Sequence, residues 1–249
     1  MMLKRGGIKS KLLLVVGVFG VAAAAASFNF AHNRAAATVP GVNKIVSLVS
    51  TGVQTANQGT ELQQQLSADG KFVLFSSAST DLVANDTNGK IDLFVRNVQA
   101  GTTERVNVAT NGTEANEGVM PDNSGLLREA VISADGRYVL FASKATNLVS
   151  TTFTSNTVQF YIRDRQLGTT TLMGVNDAGD PGDQYTGDGA RPVGISSDGR
   201  IATYITAARN TGPMQFIPDG FSNPQYSYQY LYTKNLLTGK VKLLTPVNT

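Results

Sequence analysis

The best candidate for a metal-binding group in the chain is NDTNGKID at 85–92. Asp86, Asn88 and Asp92 place three oxygen-bearing side chains around Gly89, and a hard cation such as calcium takes roughly six to eight oxygens from a loop supple enough to wrap it. The segment is shorter than an EF-hand loop and lacks its terminal glutamate. Asp and Asn at such positions also form Asx-type turns with nearby amides. The corresponding stretch of a later repeat, TTFTSNTVQ at 151–159, loses the charges and puts Gln159 where Asp92 stands, which favours the turn. Calcium on Asp86, Asn88 and Asp92 is the one cofactor the sequence offers. A second acidic loop, NDAGDPGDQYTGDG at 176–189, gathers Asp177, Asp180, Asp183 and Asp188 among glycines and reads as a solvated connection.

Most catalytic chemistry is missing. There is no cysteine and no tryptophan, and the single histidine, His32, lies near the N-terminus. Histidine-dependent triads, cysteine nucleophiles and ordinary zinc sites are therefore excluded from the body of the chain. Carboxylates, Tyr, Lys and Ser remain. A glycosidase-type pair of carboxylates would suffice for hydrolysis, but no spacing singles out two acids that face one another. The expectation is that the chain is not an enzyme. Tyr226, Tyr228, Tyr230 and Tyr232 alternate along the sequence, so they share one strand face, as core packing or as an aromatic strip for a glycan or peptide.

The N-terminus reads as a targeting segment. Lys4, Arg5, Lys9 and Lys11 precede LLLVVGVFGVAAAAA at 12–26, an apolar run of 15 that ends in small residues and falls short of the roughly 20 a spanning helix needs. We expect a signal peptide at 1–26, a flexible tether at 27–43 and a secreted, periplasmic or cell-envelope location. Four of the 21 basic residues lie in the leader, so 17 basic residues then face all 18 acidic ones. A mature chain of net charge near −1 gives no support for a nucleic-acid partner, and no membrane span beyond the leader is expected.

What must position these residues is a repeat. LSADGKFVLF at 66–75 recurs as ISADGRYVLF at 132–141 and ISSDGRIATY at 195–204, so the Asp-Gly turns are 63 to 66 residues apart. Each is followed by a second hairpin, IDLFVRNVQAGTTERVNV at 91–108, QFYIRDRQLGTTTLMGV at 159–175 and YLYTKNLLTGKVKLLTP at 230–246. The runs FVLF, YVLF and IATY are continuously apolar, as strands covered on both faces are, whereas the second hairpin alternates like an outer, partly wet pair. Arg96 and Arg163 recur at one strand position, which marks them as scaffold. A four-stranded antiparallel unit cannot cover both of its own faces. Neighbouring units must stack on it, and that is a propeller blade.

The S-x-D-G-R/K-x-V-x-F turn, the D-T-N-G-x-x-D loop, the V-R-D-like strand and the T-G-T-T turn resemble the TolB-like and WD-repeat-like β-propeller repeats, over roughly 44–246. The resemblance implies a fold rather than an activity. The expected class is all-β: a propeller-like domain at 44–249 with three four-stranded blades, about 61–109, 127–175 and 190–246. KIVSLVSTGVQTANQG at 44–59 resembles RVNVATNGTEANEG at 105–118 and adds one extra N-terminal strand. Closed propellers have four to eight blades. Three blades thus make an open arc, or half of a ring that a homodimer completes. The expected role is a binding or interaction module with a protein or glycan partner. The alternatives are a degenerate carboxylate-based hydrolase or lyase and a purely structural envelope component.

Overall fold

The computed structural model describes residues 60–119, 130–152, 158–175, 191–206 and 230–244. The leader, the tether, the strand at 44–59 and the acidic loop at 176–189 lie outside the described residues. Among the described residues twelve strands form three antiparallel sheets, each in sequence order. The first sheet holds β1 (Thr60–Leu66), β2 (Phe72–Ser77), β3 (Asp92–Asn97) and β4 (Thr102–Arg105). The second holds β5 (Ala130–Ile132), β6 (Tyr138–Ser143), β7 (Gln159–Asp164) and β8 (Thr169–Leu172). The third holds β9 (Arg191–Ile195), β10 (Ile201–Thr206), β11 (Tyr230–Asn235) and β12 (Val241–Leu243). Among the described residues there is no helix. The three repeats are thus three separate four-stranded units, as the sequence requires.

Each first turn is built by the same local chemistry. Ser67 Oγ donates to Asp69 Oδ1 at 2.7 Å, the Lys71 amide donates to the same oxygen, and the Phe72 amide donates to Ser67 Oγ. The set repeats at Ser133, Asp135, Arg137 and Tyr138, and again at Ser196, Asp198, Arg200 and Ile201. The glycine after each aspartate has a positive φ, which glycine adopts without a Cβ penalty.

Packing between sheets carries the core. Leu74, Leu93 and Val95 of the first sheet meet Val139, Phe141 and Tyr161 of the second. On the other face of the second sheet, Leu140, Phe160 and Ile162 meet Ala202, Tyr204 and Tyr232 of the third. Each fully buried side chain of this size contributes about 1.5–3 kcal/mol. One aromatic pair recurs in every sheet at the same cross-strand register: Phe75 with Phe94, Phe141 with Tyr161, and Tyr204 with Tyr232, at 5.7, 5.6 and 5.8 Å. Tyr232 is accordingly a packing residue, and Tyr230 sits partly buried against the same cluster. Tyr226 and Tyr228 lie outside the described residues.

Two patterns depart from expectation. Strands β3 and β7 are buried on both faces, so only β4 and β8, the outermost strands of their sheets, alternate between buried and exposed. In the first two sheets the second hairpin is thus not a wet pair but a covered strand followed by a wet one. Strand β10 also buries one face only, unlike β2 and β6. The reason lies at one cross-strand pair. Leu74 with Val95 and Leu140 with Ile162 face the next sheet, whereas the equivalent pair in the third sheet is Thr203 with Thr233, only partly buried. The face of the third sheet turned away from the second is thus the more polar of its two.

Candidate functional site

The loop at 85–92 joins β2 to β3, and the β3–β4 register places Arg105 directly opposite Phe94, two residues from Asp92. Side chains two apart on a strand share a face, so Asp92 and Arg105 meet. Arg105 Nη1 lies 3.1 Å from Asp86 Oδ1, 3.0 Å from Asp92 Oδ2 and 3.0 Å from Glu114 Oε2. Its Nη2 donates to the Asn85 carbonyl at 3.0 Å. The arginine, Asp86 and Asp92 side chains are 7%, 2% and 0% exposed. The structure thus brings Asp86, Asn88 and Asp92 together, around a guanidinium.

The remaining bonds close the cluster. Asn88 Nδ2 donates to both oxygens of Asp92 and to the Ala115 carbonyl, while Asn88 Oδ1 accepts from the Lys90 amide. Asn107 Nδ2 donates to Asp92 Oδ1, and Asn107 Oδ1 accepts from the Leu93 amide. Glu114 accepts from the Thr87 amide at 3.0 Å and from the Thr87 hydroxyl. Asp86 Oδ1 is the exception, since it is within reach of Arg105 but accepts no aligned hydrogen bond. Sequence spacing alone misses Arg105, Asn107 and Glu114, because the strand register and the following loop bring them in.

Three carboxylates share one guanidinium, so their protons differ. Burial, then repulsion from Asp92 and Glu114, raises Asp86 to about 6 against the opposing pull of Arg105. Burial also raises Asp92, whereas the Thr87 hydrogen bonds hold Glu114 below the usual range. A carboxyl raised in the folded state stabilises the fold as pH falls through that value and destabilises it as pH rises. Stability is therefore expected to increase between pH 7.5 and pH 5.5, with Asp86 contributing about 1 kcal/mol. Glu114, held below the usual range, opposes this gain at lower pH, where its protonation costs the Thr87 and Arg105 bonds. Thermal melts across this range check the sign, and Asp86→Asn should flatten the rise.

The same rim is pinned to the next sheet. Asn116 and Thr146 exchange two hydrogen bonds at 2.9 Å, the Asn116 amide donates to Asn147 Oδ1, and Asn147 Nδ2 donates to the Glu114 carbonyl. At the strand position of Arg96, Arg163 donates to the Ala109 carbonyl of the preceding repeat, and Lys234 donates to the Leu172 and Met173 carbonyls. These cations staple one sheet to the previous one, and Asp164 pairs with Arg137 instead.

Three stacked four-stranded antiparallel sheets with one repeating turn and one repeating aromatic pair decide the architecture. The chain carries β-propeller blades. It is similar to a putative TolB from Agrobacterium tumefaciens, at 17% identity over 76% of this chain and 47% of that one, with a TM-score of 0.39. It is also similar to the β-propeller domain of the Trilobed protease from Pyrococcus furiosus, which has an open velcro topology, at 13% identity over 77% and 44% with a TM-score of 0.41. TolB from Acinetobacter baumannii gives 13% over 76% and 44%, at 0.29. This propeller-type chain spans less than half the length of each of them. No protein-family model matches it, and no curated protein does.

Proposed function

We propose that this chain is an exported β-propeller-type binding or interaction module, acting at the cell envelope or outside the cell, with no catalytic activity of its own. The observation that carries this reading is the rim on which the Arg105 cluster and the Asn116–Asn147 bonds fix successive loops to one another across blades. A surface whose loops are already ordered loses little conformational entropy on binding. A protein or glycan partner suits an exposed polar rim of this kind.

The enzymatic alternative draws on one observation. Asp86 is raised while Glu114 is lowered, the split that a general acid and an ionised partner need. Both are committed to Arg105, however, and Asp86 is almost wholly covered. Peptide and glycan arrays probed with the folded chain test the two readings together. Binding without turnover, weakened by Asn116→Ala or Asn147→Ala, is expected. Turnover abolished by changing Asp86 or Glu114 alone, with the fold intact, would overturn the proposal. A chain that recovers only copies of itself would instead be a structural component. A second copy completing a ring would have to cover the face that bears Thr203 and Thr233, and light scattering at the mass of two chains would support that assembly.

A further inference from the structure

We infer that Arg105 is a built-in substitute for a divalent cation, so that the acid-rich loop at 85–92 closes without a metal ion. The loop has the composition of a calcium loop, and its geometry is that of a guanidinium socket. Three carboxylate oxygens, from Asp86, Asp92 and Glu114, lie 3.0–3.1 Å from Nη1 of one buried arginine. These are nitrogen-to-oxygen hydrogen-bond lengths, whereas calcium draws oxygens to about 2.3–2.6 Å. Asn88, the third expected ligand, turns its amide nitrogen toward Asp92 and uses its oxygen for the Lys90 amide. A nitrogen donor on that side repels a cation where a ligand would have to supply a lone pair.

The repeats supply an internal control. The position of Asp92 is Gln159 in the second blade and Tyr230 in the third, each being the first residue of its strand in the same alignment. The position of Arg105 is Leu172 and Leu243, each opposite the aromatic that corresponds to Phe94. Acid and arginine are present together in the first blade and absent together from the other two. A metal loop would lose its acids with no matching change at a strand position 13 residues away. A guanidinium partner for those acids must disappear with them, because an arginine left without carboxylates would be a buried unpaired charge.

Location explains why the first blade differs. Leu172 packs into the seam between the first and second sheets, and Leu243 lies against the seam between the second and third. Arg105 is at the same place on the first sheet, on the face turned away from the second. A seam selects leucine there. On a face not covered by a preceding described blade, the position can serve the loop instead.

The experiment is a pair of melts and a titration on the intact chain. The native protein is expected to melt at the same temperature in excess EDTA and in millimolar calcium, and to give no calcium binding heat. Arg105→Ala leaves three carboxylates with no cation, so its melting temperature is expected to fall and then to recover in part when calcium is added, with magnesium less effective. Arg105→Lys, which keeps one positive charge, should need no calcium. A calcium-dependent melting shift in the native chain overturns the inference. So does an Arg105→Ala protein that melts as the native one does, or an Arg105→Lys protein that recovers only with calcium. Should Arg105→Ala fail to fold, the native titration and the lysine variant still decide.

Discussion

Arg105→Leu, which installs the residue found at the equivalent place in the second blade, is expected to lower the free energy of unfolding by about 3–5 kcal/mol, because it strands buried carboxylates without their counter-charge. Asp92 carries most of that cost, since its side chain is fully covered and cannot turn to water. Glu114, with 22% of its side chain exposed, can rotate outward, and Asp86 can take up a proton. Asp92→Gln alone, which installs the second blade's Gln159, removes one acid yet leaves Arg105 with two others. The double variant should therefore be much less damaged than the sum of the single ones. A coupling energy of about 1–3 kcal/mol is expected between the two positions. Urea denaturation of the four proteins measures it, with equal m-values required for the comparison. Additivity within about 0.5 kcal/mol would mean that the pair does not act as a unit.

The turns and the strand order were legible in the sequence because their causes are local. Ser67, Asp69 and Gly70 specify a tight turn through bonds that span no more than five residues, and the same words appear at Ser133 and Ser196. The candidate site was legible in half. Its two loop acids, Asp86 and Asp92, stand within eight residues of one another, but the cation that organises them is 13 residues beyond Asp92 and is delivered by the β3–β4 register, and Glu114 comes from the loop after that. A reading confined to the loop finds ligands and supplies a metal. The available signal was the joint change of Asp92 and Arg105 across repeats, which comparison of the loops alone does not reveal.

The polar character of the third sheet's second face was hidden for a related reason. IATY at 201–204 counts as an apolar run only if Thr203 is passed over, and its significance depends on Thr233 across the strand pair. Likewise the recurrence of Arg96 and Arg163 marked them as scaffold, while the carbonyls that Arg163 and Lys234 bind belong to a preceding repeat. Local grammar identifies the blade, and only the contacts between blades show what each polar side chain does.

Gly136→Ala is the substitution that reads those contacts most directly. Gly136 has a φ of +74°, and a Cβ there would stand 2.2 Å from Phe72 Cδ2 of the preceding blade and 2.8 Å from its Cγ. Gly70 has nearly the same backbone, with a φ of +69°, and a Cβ there would meet nothing within 4 Å. Alanine at Gly70 thus costs only the left-handed conformation, about 1–2 kcal/mol. Alanine at Gly136 adds about 1–3 kcal/mol of overpacking, for a total of roughly 2–5 kcal/mol. Phe72 has little room to retreat. Its other surroundings are the first core cluster and the Arg165 guanidinium, which stacks 4.4 Å from the ring centre and also bonds the Gly136 carbonyl. Beside it the Ala68 amide donates to the Ala134 carbonyl at 2.8 Å, so the two turns cannot simply slide apart. The difference between the two alanine variants isolates the contact between blades from the turn itself. Shortening the ring with Phe72→Leu should recover part of the Gly136→Ala loss and none of the Gly70→Ala loss. Equal destabilisation at the two glycines, measured by thermal or urea unfolding, would mean that the first and second sheets do not press together in solution as this packing requires.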